Sequence, residues 1–401
     1  MKWIDGGVTA PQGFAAAAVA AGIKYEDRLD LAIIKSDVIC AAAGVFTMNA
    51  VRAACVDIAR AYLADGQAQA IVVNSGNANA CTGEQGWEDT VNMAAAAAEA
   101  LALEPMNVLV ASTGVIGAYM PMEKVLAGIP SAAGALSADA GQSVARAIMT
   151  TDLVKKEVAA ELDIDGVKVK IGAVAKGSGM IHPNMATMLC FITTDAVVDS
   201  PCLQVMLKAA VDKSFNMVSV DRDTSTNDMV LILANGKAGG NVISDPESDG
   251  GALLQQALDE ICIKLARMIA RDGEGATHLM EVEVKNAPDL PTARQIARAV
   301  TGSNLTKAAL FGQDANWGRI FAAAGSSGAE FEPHDVDIYL GRVMVAQDGV
   351  GLVFDEAAAA QALQQDTIVI TLDLKQGNAA ATAWGCDLTY DYVKINGAYR
   401  T

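Results

Sequence analysis

The feature that most constrains this chain is a pair of strand-like segments joined by a loop that contains several glycines and a proline. Residues 167–174 read VKVKIGAV, and this alternation with a period of two predicts a half-buried strand. Residues 188–192 read MLCFI, a continuous apolar run that predicts a strand covered on both faces. The loop between them, KGSGMIHPNMAT, places Thr187 at the start of the second strand.

A threonine hydroxyl at this position is well placed to act as a nucleophile. If the backbone were cut between Ala186 and Thr187, Thr187 would gain a free α-amino group. Such an amine has an ordinary pKa of about 7.7–8.0, so it could deprotonate its own hydroxyl near neutral pH. The same pattern also fits an ordinary hairpin whose glycines and proline only turn the chain. The local sequence leaves both interpretations open.

Residues 176–189, KGSGMIHPNMATML, resemble the self-cleavage motif of the ornithine acetyltransferase family of arginine biosynthesis. This family is also described as the bifunctional glutamate N-acetyltransferase / amino-acid acetyltransferase family. The segments GVTAPQGF (7–14) and YVKINGAYRT (392–401) match it as well, so the resemblance covers nearly the whole chain. It implies self-cleavage between Ala186 and Thr187, after which Thr187 carries the acetyl group.

The predicted strands and helices alternate along the chain, which indicates an α/β architecture. The resemblance implies stacked β-sheets flanked by helices, as in the N-terminal-nucleophile-like (ornithine acetyltransferase / DmpA-like) fold. At 401 residues the chain exceeds one ordinary hydrophobic core, so two packed halves are expected. We predict an α chain, 1–186, and a β chain, 187–401. Strand-like alternation over 384–395 predicts a final strand.

The composition excludes several classes of partner. The formal net charge is −18, and such a field repels nucleic acids and anionic membranes. The apolar run over 14–23 is too short to span a bilayer. Seven dispersed cysteines without a C-x-x-C pair indicate buried, reduced thiols, and the three histidines lack metal-ligand spacing. We therefore expect a cytoplasmic protein with no bound metal or cofactor.

Acyl transfer through Thr187 requires hydrogen-bond donors for the oxyanion of each tetrahedral intermediate. The segment STGVIG (112–117) follows a predicted strand and offers Thr113 and Gly114. The resemblance implies that this pair forms the oxyanion hole. The pattern alone also describes a strand-to-helix turn with Thr113 near a helix N-cap.

The substrates would bring α-carboxylate and ammonium charges to the site. Lys176 could bind the first and Glu274 the second, although lone charges in loops are usually solvated. Thr150 is an alternative to Thr151 as a substrate contact. The residues that the resemblance assigns to substrate binding are Thr151, Lys176, Thr187, Glu274, Asn396 and Thr401.

Three further loops contain glycine-rich or polar patterns. NSGNANA (74–80) lacks the phosphate-loop patterns, so a loop that supports the site through side-chain amide hydrogen bonds is favoured. The loop 221–228, DRDTSTND, superficially resembles a calcium-binding loop. It has Thr226 where such a loop needs glycine, so metal binding is not expected. The family usually has glycine where this chain has Arg222, so a different local backbone is expected if that position needs a positive φ. GQDANWGR (312–319) is interpreted as scaffold around the site.

The resemblance implies an acetyltransferase that moves acetyl from N2-acetyl-ornithine to glutamate through acetyl-Thr187, assembled as an α₂β₂ heterotetramer. The sequence does not decide whether acetyl-CoA is an additional acetyl donor, because it contains no recognisable adenine-binding or phosphate-binding motif. The alternative enzyme is an N-terminal-nucleophile amidase or aminopeptidase, in which water is the acceptor. A binding protein with an uncut loop is the non-enzymatic alternative.

Overall fold

The computed structural model describes residues 1–182 and 188–398 of the chain, and these form two units. One unit comprises residues 1–177, 188–212 and 224–265, and the other comprises 178–182, 213–223 and 266–398. Both units contain residues from each predicted chain. The two units are therefore not the α and β chains, and the predicted cut at Ala186–Thr187 remains a prediction about the backbone alone.

The described residues contain sixteen strands, numbered here along the chain. They are β1 (Lys2–Ile4), β2 (Phe14–Val19), β3 (Leu31–Phe46), β4 (Gln67–Asn74), β5 (Val108–Ser112), β6 (Lys156–Ile164), β7 (Val167–Lys176), β8 (Leu189–Thr194), β9 (Val218–Ser219), β10 (Met229–Ala234), β11 (Leu279–Ala287), β12 (Asp337–Leu340), β13 (Val343–Gln347), β14 (Val350–Gly351), β15 (Thr367–Asp373) and β16 (Ala379–Cys386).

The same part of the chain contains eleven α-helices. They are α1 (Ala54–Tyr62), α2 (Gly83–Leu101), α3 (Met122–Gly134), α4 (Gly141–Ala147), α5 (Ser200–Lys213), α6 (Asp249–Arg271), α7 (Leu290–Thr301), α8 (Asn304–Phe311), α9 (Trp317–Gly325), α10 (Glu356–Leu363) and α11 (Tyr390–Gly397). The predicted α/β class is confirmed, because helices pack against the sheet of each unit.

The first unit is built on a nine-stranded sheet in the order β1-β6-β7-β8-β10-β3-β4-β5, with β2 paired to β3. The two strands predicted on either side of the Thr187 loop are β7 and β8, and they are antiparallel neighbours with Lys176 opposite Leu189. Every residue of β8 is buried, as the apolar run predicted. The strand that follows Thr187 is therefore an interior strand of the sheet.

Helix α2 illustrates how an alanine-rich sequence serves this core. Its buried positions recur three or four residues apart, so one face of the helix packs on its neighbours. Met93, Ala94, Ala97 and Ala98 lie on that face and are at most 1% exposed. Small side chains allow close approach, and α2 contacts both α3 and β5.

The second unit has a seven-stranded sheet in the order β14-β13-β12-β15-β11-β16-β9. Helix α7 packs on β11 and β16 through a buried face that includes Ala293, Ile296, Ala297 and Val300. Its first turn is fixed by Asp289, whose carboxylate accepts a hydrogen bond from the Thr292 amide.

The predicted strand over 384–395 is wrong beyond Cys386. The Asp387 carboxylate accepts hydrogen bonds from the Thr277 and His278 amides, and this contact ends the strand. Thr389 then caps helix α11 by accepting a hydrogen bond from the Asp391 amide. A short stretch of alternating polar and apolar residues fits both the period of two of a strand and the period of 3.6 of a helix. The N-cap therefore decides between strand and helix.

Six of the seven cysteines are buried, as their apolar surroundings predicted, and Cys81 is exposed. No helix among residues 1–182 and 188–398 has the length and apolar character needed to cross a membrane.

Candidate active site

The Thr113–Gly114 turn follows strand β5 and is clamped onto the 74–80 loop. The Thr113 amide donates to the Asn74 carbonyl at 3.0 Å, and the Val115 amide donates to the Gly76 carbonyl at 3.3 Å. Gly114 has a φ of +137°, and a Cβ added there would lie 2.2 Å from the Gly76 carbonyl carbon. Only glycine fits this close approach.

This turn presents two hydrogen-bond donors. Thr113 is only 5% exposed. Neither its hydroxyl nor the Gly114 amide makes a hydrogen bond of ordinary geometry to a described residue. The alternative that Thr113 caps a helix is wrong, since α3 begins at Met122 with Pro121 at the N-cap position. Two donors without an acceptor among the described residues, on a turn held by main-chain hydrogen bonds, match the requirement of an oxyanion hole.

The 74–80 loop is held by side-chain amide hydrogen bonds, as NSGNANA predicted, and its support of an active site stays a prediction. Asn74 Nδ2 donates to the Asn77 carbonyl at 2.9 Å, and Asn77 Nδ2 donates to the Tyr119 carbonyl at 3.0 Å. Asn79 Nδ2 donates to the Gly86 carbonyl at 2.8 Å. These bonds fix the loop against which the Thr113–Gly114 turn rests.

Asn227 contributes to the same support, although the sequence did not single it out. Its Nδ2 donates to the Ala78 carbonyl at 2.6 Å and to the Ser112 carbonyl at 2.9 Å. One buried amide thus connects the 74–80 loop to the end of β5. In the sequence, the indication of this role is that Asn227 stands directly before a polar residue and a fully apolar strand.

Lys176 lies at the end of β7 and is 3% exposed, so the interpretation of a solvated surface charge is wrong for it. It belongs to a buried cluster around Asp152, whose Oδ1 accepts from Lys156 Nζ at 2.7 Å and from the Gly177 amide at 2.8 Å. Burial by itself raises the pKa of Asp152, but Lys176 and Lys156 lower it to about 2. The cluster therefore keeps a carboxylate ionised beside two ammonium groups.

Asp228 is a second buried carboxyl group in the first unit. Its Oδ1 accepts a hydrogen bond from the amide of Met188, the residue after Thr187, at 3.0 Å. Its Oδ2 has no hydrogen-bond partner among the described residues. Burial raises the pKa of Asp228 well above its usual range, and the Ser225 hydroxyl, the Met188 amide and the Lys176 charge oppose only part of that effect.

The sheet explains why Asp228 and Met188 meet. Strands β8 and β10 are parallel neighbours, with Met229 opposite Leu189. The residues just before these strands therefore lie side by side at one edge of the sheet. A polar residue immediately before a fully apolar strand was the signal in the sequence, but the pairing partner was not readable from it.

Glu274 and Asn396, which belong to the second unit, are brought together. Asn396 Nδ2 donates to Glu274 Oε2 at 2.7 Å, and the Glu274 amide donates to the Ser178 carbonyl at 3.0 Å. Glu274 is 7% exposed and is not a solvated surface charge. A Cβ on Gly179 would lie 2.3 Å from the Glu274 carboxyl carbon, so the second glycine of KGSG makes room for this carboxylate.

The C-terminal helix is tied to the Glu274 segment by its own cap. Thr389 Oγ1 donates to the Gly275 carbonyl at 2.7 Å and accepts from the Asp391 amide. Asn396 is therefore presented from an anchored helix. Ala186, Thr187 and Thr401, also predicted from the sequence, lie outside the described residues.

Thr150 and Thr151 lie beside the Asp152 cluster. The Thr150 amide donates to Asp152 Oδ2 at 3.0 Å, and its carbonyl accepts from Arg28 at 3.1 Å. Both main-chain groups of Thr150 thus have structural partners. Thr151 is half-buried, and its role as the substrate contact stays a prediction.

The backbone at Arg222 contradicts the expectation that it would avoid a positive φ. Arg222 has a φ of +70°, in the left-handed region. A non-glycine residue pays roughly 1–2 kcal/mol for this conformation. The loop therefore keeps the backbone that a glycine would adopt, with an arginine side chain on it.

Comparison with known proteins decides the family. Residues 15–401 match the ArgJ family. The chain belongs to the ArgJ family. The arginine biosynthesis bifunctional protein ArgJ of Symbiobacterium thermophilum is 58% identical over 403 aligned residues that cover 100% of both chains. The ArgJ protein of Synechocystis is 49% identical and covers 99% of this chain and 98% of its own.

A solved ArgJ-family structure is similar in fold. The crystal structure of the arginine biosynthesis bifunctional protein ArgJ from Bacillus halodurans is 45% identical, with a TM-score of 0.51. It covers 52% of this chain and 98% of the solved chain. The ArgJ-family chain described here is an acetyltransferase of arginine biosynthesis, and the resemblance seen in the sequence is confirmed.

Proposed function

We propose that this enzyme cleaves itself between Ala186 and Thr187 and then transfers acetyl from N2-acetyl-ornithine to glutamate through an ester on Thr187 Oγ. The observation that carries the proposal is the pair of donors on one turn, the Thr113 hydroxyl and the Gly114 amide, which lack acceptors among the described residues. Acyl transfer is the chemistry that uses such a pair, because each step generates an oxyanion.

Cleavage begins when Thr187 Oγ attacks the carbonyl carbon of Ala186. The C–N bond breaks, the acyl group moves to oxygen, and the Thr187 amine is released. Water then hydrolyses the ester and leaves Ala186 with a carboxylate. The Asp228–Met188 hydrogen bond supports this step, because it holds the main chain directly after the bond to be cut.

The length of the solved relative also supports a cut. The Bacillus halodurans chain is matched over 98% of its length by 52% of this chain. That fraction is close to the share of the sequence that the predicted β chain, 187–401, would contain. A chain of this length is what a cleaved precursor would give.

Turnover uses the same nucleophile. The Thr187 amine accepts the hydroxyl proton while Oγ attacks the acetyl carbonyl of acetyl-ornithine. Collapse of the tetrahedral intermediate expels ornithine, which takes the proton, and leaves acetyl-Thr187. The glutamate amine then attacks the ester and restores the hydroxyl. Because the first product leaves before glutamate reacts, the kinetics should be ping-pong.

The charged groups supply substrate recognition in this proposal. Glu274, held by Asn396, binds the substrate ammonium group, and Lys176, with Thr151, binds the carboxylate. Thr401 would complete these contacts. We also propose α₂β₂ assembly and a cytoplasmic location, and measuring the native mass of the processed enzyme tests the assembly.

The test is a pair of Thr187 variants of the full chain, analysed by denaturing electrophoresis and intact mass. The wild type should give two fragments with the new N-terminus at Thr187. Thr187→Ala should give one full-length band and no acetyl transfer, whereas Thr187→Ser, which keeps a hydroxyl, should still be cut. Two fragments from Thr187→Ala would contradict the proposal.

The acceptor of the acetyl group distinguishes the transferase from the amidase alternative. With acetyl-ornithine and glutamate present, the transferase forms N-acetylglutamate, whereas an amidase releases acetate. Quantifying both products in one reaction decides between them. Acetate as the main product at saturating glutamate would favour the amidase.

A further inference from the structure

Asp221, the first residue of DRDTSTND, has no role in the acetyl-transfer steps above, yet its carboxylate accepts three main-chain hydrogen bonds in the second unit. Its Oδ2 accepts from the Met180 amide at 2.6 Å, and its Oδ1 accepts from the Ile181 amide at 2.8 Å. Oδ1 also accepts from the Asp223 amide at 3.2 Å. One side chain thus ties the KGSGMI segment to a loop 40 positions further along the chain.

The backbone is strained on both sides of this contact. Met180 has a φ of +56° and Arg222 has a φ of +70°, in the left-handed region that glycine favours. Arg222 directly follows Asp221, and its conformation turns the chain so that the Asp223 amide returns to the Asp221 carboxylate. Such conformations persist only where the surrounding structure fixes them. The hydrogen bonds to Asp221 supply that constraint for both residues.

The main chain just before Asp221 is anchored from the interior. The Val220 amide donates to the Ile181 carbonyl at 2.8 Å, and the Val220 carbonyl accepts from Lys307 Nζ at 2.5 Å. Lys307 is only 2% exposed. Because its own main chain is held in this way, the Asp221 carboxylate can fix the position of residues 180–181.

The segment that Asp221 holds lies directly against Glu274. The Ser178 carbonyl accepts from the Glu274 amide at 3.0 Å. Gly179 approaches the Glu274 side chain so closely that a Cβ there would lie 2.3 Å from the carboxyl carbon. A displacement of Met180 would therefore move the neighbouring residue on which the Glu274 carboxylate rests.

Helix α11 faces the same two carboxylates through Tyr392. Burial first, and then the charges of Asp221 and Glu274, raise the pKa of Tyr392 above its usual value. A hydrogen bond to Asp221 adds to this rise, so the hydroxyl stays protonated and can donate to that carboxylate. The Tyr392 carbonyl accepts from Asn396 Nδ2 at 3.1 Å, and the same Nδ2 donates to Glu274. The helix that presents Asn396 is thus joined to Asp221 as well.

We propose that Asp221 is a positioning residue for substrate recognition: it fixes the 178–181 segment and, through it, the direction of the Glu274 carboxylate. The inference rests on the proposed role of Glu274 as the group that binds the substrate ammonium. A carboxylate that is already oriented binds an ammonium group more tightly than a mobile one, because less side-chain freedom is lost on binding.

The test measures the binding of ornithine to the processed full-length enzyme by calorimetry. Asp221→Asn keeps the size of the side chain but replaces one accepting oxygen by an amide group that cannot accept. It should weaken ornithine binding about 10-fold, as expected for loss of a hydrogen bond to a charged group. Burial raises the pKa of Asp221 to about 6, against the opposing effect of its amide hydrogen bonds, so titrations at pH 8 keep the carboxylate ionised.

Asp223→Asn is the matched control. Asp223 is an exposed carboxylate two positions away, and the Met180 and Ile181 amides donate to Asp221 instead. The control removes the same charge without a loop contact and should change ornithine affinity less than about two-fold. Equal losses in Asp223→Asn and Asp221→Asn would show that negative charge alone attracts ornithine, and would overturn the positioning role.

A double-mutant cycle separates positioning from a general loss of structure. If Asp221 acts through Glu274, Asp221→Asn should change ornithine affinity less than about two-fold in a Glu274→Gln background. Equal fold losses in both backgrounds would overturn the proposal. A loss in Glu274→Gln with no loss in Asp221→Asn would also overturn it and would leave the role of Glu274 intact.

Tyr392→Phe tests the same contact from the other side and decides the question if Asp221→Asn does not fold. Loss of the hydroxyl should weaken ornithine binding about three-fold or more, and this effect should disappear in a Glu274→Gln background. Tyr390→Phe is its control, because Tyr390 lies on the same helix and is 77% exposed. The same affinity in Tyr392→Phe, Tyr390→Phe and wild type would contradict the inference.

Transfer assays distinguish failure of this inference from failure of the proposed function. Asp221→Asn should raise KM for acetyl-ornithine about 10-fold and leave kcat within about two-fold. A lower kcat at unchanged KM would overturn the positioning role. Absence of transfer from acetyl-ornithine in the wild type would instead overturn the proposed function, and the coupling between Asp221 and Glu274 in ornithine binding would still decide the role of Asp221.

Discussion

Asn396 Nδ2 donates a 2.7 Å hydrogen bond to Glu274 Oε2, and this bond joins two residues that are 122 positions apart. Glu274 follows helix α6, and Asn396 lies near the end of the described chain. The bond fixes the direction of a carboxylate that is 7% exposed. The carboxylate is therefore oriented before any ligand arrives, as the recognition of an ammonium group requires.

Glu274→Gln should weaken substrate binding and leave the fold intact. Glutamine keeps the shape of the side chain but loses the charge that would attract the ammonium group. We expect KM for acetyl-ornithine to rise about 10- to 100-fold, the range for a hydrogen bond to a charged group. Lys394→Gln, on the exposed face of α11, is the control and should leave KM unchanged. An unaltered KM in Glu274→Gln would remove this residue from substrate binding.

Thr113→Val should lower activity without lowering stability. The Thr113 hydroxyl has no hydrogen-bond partner among the described residues, so its loss costs little and the free energy of unfolding should stay the same or rise slightly. Transfer should slow by about 10²–10³-fold in kcat, as for loss of one oxyanion donor. Thr113→Ser keeps the donor and should retain most of the activity. A Thr113→Val enzyme of normal kcat would exclude Thr113 from the oxyanion hole.

Asp152→Asn should destabilise the first unit at neutral pH. Removing one partner of the buried Asp152–Lys156 pair leaves an uncompensated charge, which costs about 3–5 kcal/mol. Because the folded pKa of Asp152 is about 2, below its usual value, the stabilising contribution is complete above about pH 4. It disappears as the pH falls through 2.

Urea denaturation at pH 7 and at pH 2.5–3 measures this dependence. The stability difference between wild type and Asp152→Asn should be smaller at the lower pH. Asp163→Asn, which removes an exposed carboxylate, should have little effect at either pH. A difference that grows with acidity would contradict an ionised Asp152.

Asp228 should act by positioning the residue that follows the nucleophile. Asp228→Asn keeps an acceptor for the Met188 amide, whereas Asp228→Ala removes it. Burial raises the pKa of Asp228 and so favours its protonated form, whose shape asparagine imitates. Asp228→Asn should cleave at a rate within about three-fold of wild type, while Asp228→Ala should slow cleavage about 10-fold or more.

The cleavage rate is read by electrophoresis of freshly translated chains, with melting temperature measured beside it. A purely structural role predicts that the rate follows stability across both variants. Slow cleavage in Asp228→Asn at a normal melting temperature would show that the charge, and not the position, matters.

Several features of the fold followed from local pattern. The period-two segment before the Thr187 loop became β7, and the apolar run after it became the fully buried β8. The predicted half-burial of β7 holds only over 167–170, because residues 171–176 are buried on both faces of the sheet. The error over 384–395 arose where a short alternating stretch fits two periods. In that segment the Thr389 hydroxyl caps α11, and this cap favours a helix over a strand.

The sequence by itself determined the family, the α/β class, the position of the predicted cut at Ala186–Thr187 and the identity of the residues expected to carry the chemistry. These are properties of contiguous motifs and local periodicity. The tertiary structure decided which distant groups meet. Pairing of β8 with β10 set Asp228 against Met188, Asn227 came to bridge two loops, and Asp221 came to hold the amides of residues 180–181. Such contacts depend on strand register and helix packing between segments tens to hundreds of residues apart, which no local pattern contains.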